Sequence, residues 1–128
     1  MSHRHVIRLH AAWTRHTPDD ASAASSGLKV DLPDASLAGL STPKVLYRRR
    51  FHRPTGLTPT SRVYFRCGLI PLAVRIGWNQ SPWTPPAGES LVEVTTRLQA
   101  HNEVELEIAS DSFSAAAQAT AELEIHDR

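Results

Sequence analysis

Apolar and polar residues alternate one by one through several separated stretches of this 128-residue chain, and that period of two constrains the fold more than any other feature. From Lys44 to His52, Val45, Tyr47, Arg49 and Phe51 fall on one side of an extended segment, with Leu46, Arg48, Arg50 and His52 on the other. Arg62 to Cys67 sets Val63, Phe65 and Cys67 against Arg62, Tyr64 and Arg66, and Leu72 to Trp78 sets Leu72, Val74, Ile76 and Trp78 against Ala73, Arg75 and Gly77. Val104 to Ile108 alternates with Glu103, Glu105 and Glu107 outward. Ala121 to Ile125 repeats the pattern, Leu91 to Val94 is a short strand, and His5 to Trp13 alternates over its first half. Turn clusters at Pro54-Thr55-Gly56, Asn79-Gln80-Ser81-Pro82 and Pro85-Pro86-Ala87-Gly88 separate the runs. Short strands at a spacing of about ten to fifteen residues predict a two-sheet antiparallel β-sandwich of about eight strands.

The remaining segments fit one small all-β domain over 1–128, since a chain of 14.1 kDa has no room for a catalytic barrel. Residues 14–43 are rich in Ser, Ala, Asp, Gly and Pro, and read as a long loop with local structure, of the kind that is functional or mobile. Thr95 is placed to cap one helical turn through Leu98. The run Ser114 to Ala119 has helical propensity but is short and uncapped. The single Cys67 forms no internal disulfide, the N-terminus lacks an apolar signal core, and no apolar run is long enough to span a bilayer, so a cytoplasmic protein away from membranes is expected.

The formal net charge of +1 conceals a division along the chain. Residues 1–75 carry ten arginines with Lys29 and Lys44 against Asp19, Asp20, Asp31 and Asp34, whereas residues 76–128 carry Arg97 and Arg128 against nine acids. In one sandwich these halves interleave, which predicts Arg–Glu pairs across strands. Arg48-Arg49-Arg50 is therefore not a nucleic-acid patch, because Arg49 faces away from its two neighbours and Glu93, Glu103, Glu105 or Glu107 can neutralise the others.

Three pieces of sequence resemble the sugar-binding β-sandwich of family-two glycoside hydrolases, one of the galactose-binding-domain-like jelly rolls. They are Tyr47-Arg48-Arg49-Arg50-Phe51-His52-Arg53-Pro54, then Val63 to Gly68 leading into Ala73 to Gln80, and, most specifically, Glu93-Val94-Thr95-Thr96-Arg97-Leu98 through Asn102 to Ile108. The resemblance covers about residues 44–108 and implies a jelly roll in which Thr95 caps, Leu98 plugs the core and Asn102 takes a left-handed backbone before the next strand. It departs from the family where the Asn-Gly hairpin turn reads Trp78-Asn79-Gln80, and the catalytic domain that such domains accompany is not part of this chain. Hydrolase activity is therefore not carried over.

A sugar binder of this kind needs an exposed aromatic face beside groups that bond hydroxyls. Trp13 and Trp78 are expected in the core. Trp83, between prolines, is either core or platform, and with Asn79, His101 and Arg50 it forms the candidate ligand site, Asn102 standing beside them. His3, His5 and His10 nearly alternate but have no Cys or carboxylate at ligand spacing, so neither a metal nor a cofactor is expected. Cys67 shares a side with Val63 and Phe65, which predicts a buried thiol. With no Gly-Xaa-Ser-Xaa-Gly elbow, phosphate loop or cleft carboxylate pair, no enzyme activity is expected. The expected function is non-catalytic carbohydrate binding, with a structural or protein-interaction sandwich as the alternative.

Overall fold

Cross-strand pairing converts the alternation into two antiparallel sheets packed face to face. The computed structural model describes residues 3–18 and 27–127. Its strands are β1 (His3–Arg8), β2 (Trp13–His16), β3 (Leu28–Val30), β4 (Lys44–His52), β5 (Arg62–Cys67), β6 (Arg75–Trp78), β7 (Ser81–Pro82), β8 (Leu91–Glu93), β9 (His101–Ala109) and β10 (Ala121–Asp127). One sheet runs β1-β10-β5-β8 and the other β3-β2-β4-β9-β6-β7. The fold is thus the expected all-β sandwich, with ten strands among the described residues where the sequence reading counted about eight.

The register of β4 on β9 shows why the core sits where it does. Val45, Tyr47, Arg49 and Phe51 lie opposite Ile108, Leu106, Val104 and Asn102, and all but Arg49 are buried between the sheets. From the other sheet Val63, Phe65, Cys67, Leu123 and Ile125 close over them. Rings dominate the packing: Trp78 meets Phe51 at 5.6 Å and Phe65 at 5.9 Å between centroids, both edge to face. Trp13 is fully buried and donates its indole N–H to Leu9 O at 2.6 Å.

The Arg–Glu pairs expected across strands are present on both outer faces. Arg48 reaches Glu105 at 3.1 Å, Arg50 reaches Glu103 at 2.7 Å, and Arg75 reaches Glu107 at 3.3 Å. On the other sheet Arg66 donates to Glu124, which Arg4 and His126 also cover. The Arg66 hydrogen bond is the main reason the Glu124 carboxyl is held below its ordinary pKa. Arg49 alone of its triplet faces inward as expected, and its Nε is buried without a hydrogen-bond partner among the described residues. Burial pushes its guanidinium pKa down.

Several local expectations are corrected. Within 14–43, residues 14–16 belong to β2 and 28–30 to β3, and Ala35–Gly39 forms a 3-10 turn, so the local structure of the expected loop includes six residues that extend a sheet; residues 19–26 lie outside the described residues. Backbone pairing of β2 with both β3 and β4 outweighs the polar composition. The strand predicted from Leu72 begins only at Arg75, because Ile70–Leu72 turns as a 3-10 helix around Pro71 and leaves Val74 exposed. Thr95 does not cap the 3-10 turn Thr95–Arg97; its hydroxyl accepts the Val63 N–H at 2.8 Å and so ties that turn to β5. Asn102 lies within β9 and not at a left-handed position. The helix left open over 114–119 is a single turn, α1 (Phe113–Ala116), seated on the core through Phe113 and Ala116.

Candidate functional site

The site is organised by the hairpin between β6 and β7. Trp78 pairs with Ser81, so Asn79 and Gln80 are the two loop residues, and their φ values of 51° and 67° make a type I′ turn. Asn tolerates this region better than other non-glycine residues, which is why Asn79 occupies the first position without a glycine beside it. The Asn79 side chain then locks the hairpin to β9. Its Oδ1 accepts the Glu103 N–H at 2.7 Å, and its Nδ2 donates to Asn102 Oδ1 at 3.2 Å.

Asn102 is buried and clips the preceding loop at both ends of its amide, accepting the Gln99 N–H and donating to Gln99 O, each at 2.9 Å. This clip sets Gln99 and His101 at the rim. Across the sheet His101 stands opposite His52, ring centroids 4.8 Å apart, and Arg50 stands opposite Glu103. Burial pushes the Glu103 carboxyl up, but the Arg50 hydrogen bond and the charges of Arg48 and Arg50 outweigh it and hold the group below its ordinary pKa. The result is an open depression of about 370 Å³ lined by Arg50, Asn79, Gln80, Gln99, His101 and Glu103, with Asn102 at its base. The side-chain amides of Asn79, Gln80 and Gln99, an imidazole, a guanidinium and a carboxylate present both donors and acceptors there, a set suited to hydroxyl groups.

Three of the four residues singled out in the sequence, Arg50, Asn79 and His101, therefore meet around one depression, and Trp83 does not join them. The Trp83 N–H bonds Ile76 O at 2.9 Å, which carries the β6–β7 ladder one pair past Pro82. Cross-strand partners share a face, and Ile76 faces the core, so Trp83 does as well. It is 5% exposed, its ring meets Trp78 edge to face at 5.2 Å, and Arg97 lies 5.4 Å above its centroid. The platform reading of Trp83 is corrected to core packing. Trp13 and Trp78 are buried as expected.

Gln80, Gln99 and Glu103 were missed in the sequence. Gln80 follows from the turn register and Glu103 from the pairing of β4 with β9, whereas nothing local in the sequence distinguishes Gln99. Elsewhere Cys67 is fully buried, and burial pushes its thiol up to about 12, which keeps it protonated. Among the described residues no group of three or more His, Cys, Asp or Glu side chains is placed to hold a metal ion, and no helix is long and apolar enough to cross a membrane.

No family model and no curated protein matches the sequence. Solved structures do match. An FMN-binding β-glucuronidase from Faecalibacterium prausnitzii L2-6 superposes with a TM-score of 0.63 at 19% identity, over 98% of this chain and 23% of that one. A Bifidobacterium dentium β-glucuronidase complexed with coumarin-3-O-glucuronide gives 0.63 at 15% identity, over 95% and 30%. A β-glycosidase from Bacteroides vulgatus gives 0.62 at 13% identity, over 93% and 20%. The chain thus spans less than a third of these enzymes. At such identities the likeness is one of fold, and that fold is the β-sandwich to which the residues over 44–108 already pointed.

Proposed function

We propose that this domain is a non-catalytic carbohydrate-binding module whose site is the polar depression beside the β6–β7 hairpin. The observation that supports the reading is the convergence there of Arg50, Asn79, Gln80, Gln99, His101 and Glu103, hydroxyl-directed groups drawn from three separate segments of chain. The structural neighbours are a β-glycosidase and β-glucuronidases, one of them complexed with a glucuronide, which favours a pyranoside as ligand. No tryptophan, tyrosine or phenylalanine ring among the described residues lines this depression, so binding there rests on hydrogen bonds without such a stacking platform. Affinity is then expected in the millimolar range, about −4 kcal/mol.

A glycan array on the intact protein tests this, followed by titration of a retained sugar into His101→Ala and Gln80→Gly, the latter chosen because the turn accepts glycine. Each variant is expected to weaken binding about fivefold, the loss of one hydrogen bond. A blank array, or binding untouched by both substitutions, refutes the proposal. The second reading, a protein-docking sandwich, is favoured by Val6 and Ile7 on edge strand β1, which are 44% and 39% exposed on opposite faces. In that case Ile7→Lys disrupts association with the partner and leaves sugar titrations unchanged.

A further inference from the structure

We infer that the site is one end of a continuous track along the outer side of the β6–β7 hairpin, and that it takes a linear oligosaccharide instead of a lone terminal sugar. This inference rests on the saccharide reading above. A second depression, of about 210 Å³, adjoins the first on the same outer face: it shares Gln80 with it and continues over Gly77 and Ser81 between Leu46 and Glu105. From Arg75 to Trp78 the strand climbs roughly 10 Å at about 3.3 Å per residue, and the turn at Asn79 and Gln80 extends the track to the first depression, enough for a di- or trisaccharide.

Gly77 is the second observation. It lies in the middle of the track, opposite Glu105 on the outer face of its sheet. A Cβ there would stand 3.7 Å from Ser81 O and 3.9 Å from Glu105 Cβ, ordinary contacts, so packing does not require glycine. Its φ lies outside the left-handed region as well. Glycine inside a strand costs about 0.5–1 kcal/mol relative to alanine, and with no bulge or steric need here it leaves a lowered stretch of sheet surface where a ligand can approach the backbone closely.

The test is a length series. Linear β1,4-linked gluco-, xylo- and galacto-oligosaccharides of one to six units are titrated into wild type and Gly77→Val by amide NMR. Valine suits a strand and fills the middle of the track. The expected result in wild type is a Kd at least tenfold lower for the trisaccharide than for the monosaccharide, with the Gly77 and Ser81 amides shifting only for the longer chains. Gly77→Val is expected to abolish that gain and to leave the monosaccharide Kd within twofold. Gly77→Ala and thermal melts of both variants establish that the fold is kept. Length-independent binding in wild type, or a length gain that survives in folded Gly77→Val, overturns the track while the saccharide site stands. Wild type that binds none of the series at any length overturns the saccharide reading itself, and the track with it.

Discussion

Asp34 is the residue whose removal should disturb this domain most for the least change in volume. Its carboxylate is 5% exposed and accepts three hydrogen bonds, from Arg15 Nη1 at 2.5 Å, Tyr47 Oη at 2.7 Å and Ser36 Oγ at 2.7 Å. Arg15 is itself only 6% exposed and Tyr47 is fully buried, so Asp34→Ala leaves a guanidinium without its counter-charge and a phenol without its acceptor. Breaking one side of a buried pair costs about 3–5 kcal/mol. At this chain length each kcal/mol moves Tm by about 4 °C, so Tm should fall by about 12–20 °C. Tyr47→Phe, which deletes one of the three bonds, should cost about 1–2 kcal/mol, and the double variant should fall short of the sum. Burial pushes the Asp34 carboxyl up, but the bonds from Tyr47, Ser36 and Arg15 outweigh it and hold its pKa below the ordinary value of 3.8. Its contribution is therefore complete above the unfolded pKa and disappears as pH falls through the lower folded value. Wild type should lose stability below about pH 4 more steeply than Asp34→Ala does. Thermal and urea melts from pH 2 to 7 read both effects. A Tm for Asp34→Ala within a few degrees of wild type at pH 7, or parallel pH profiles, would refute the reasoning.

Two further substitutions separate structural from functional roles. Trp83→Ala should destabilise the fold by about 3–5 kcal/mol, because a buried indole packed on Trp78 is lost, and should leave sugar binding intact below its lowered melting point; equal loss of binding at full stability would return Trp83 to the site. Arg49→Met should raise Tm, since the buried, unbonded Nε is removed and only the exposed hydrogen bond from Nη1 to Arg50 O is lost, and a clear drop in urea melts would show that this bond outweighs the burial cost.

Strands are legible in this chain because a period of two depends only on neighbouring residues. β4 and β5 appear in the sequence with the boundaries they have in space, and the inward turn of Arg49 follows from parity alone. The same parity misplaces Val74, because Pro71 turns the chain before β6 begins. β2 and β3 escaped for a different reason. Each is too short to show a period, and β2 is held by its pairing with β3 and β4 and by the Asp34 cluster that ties Arg15 to Tyr47, contacts between residues far apart in the chain.

The candidate site divides along the same line. Arg50, Asn79 and His101 could be named from residue type and proximity to turns, and their meeting around one depression required the pairing of β4 with β9 and of β9 with β6. Trp83 could not be placed from its proline-rich surroundings, since one further backbone bond, to Ile76, decides whether the ring faces sugar or core. Local alternation by itself determined that this chain forms a sandwich with charge-paired outer faces, because side-chain parity and turn chemistry are short-range. Which polar groups converge, which ring is exposed and where a glycine lowers the surface were decided only by tertiary structure, since each depends on register between strands distant in sequence.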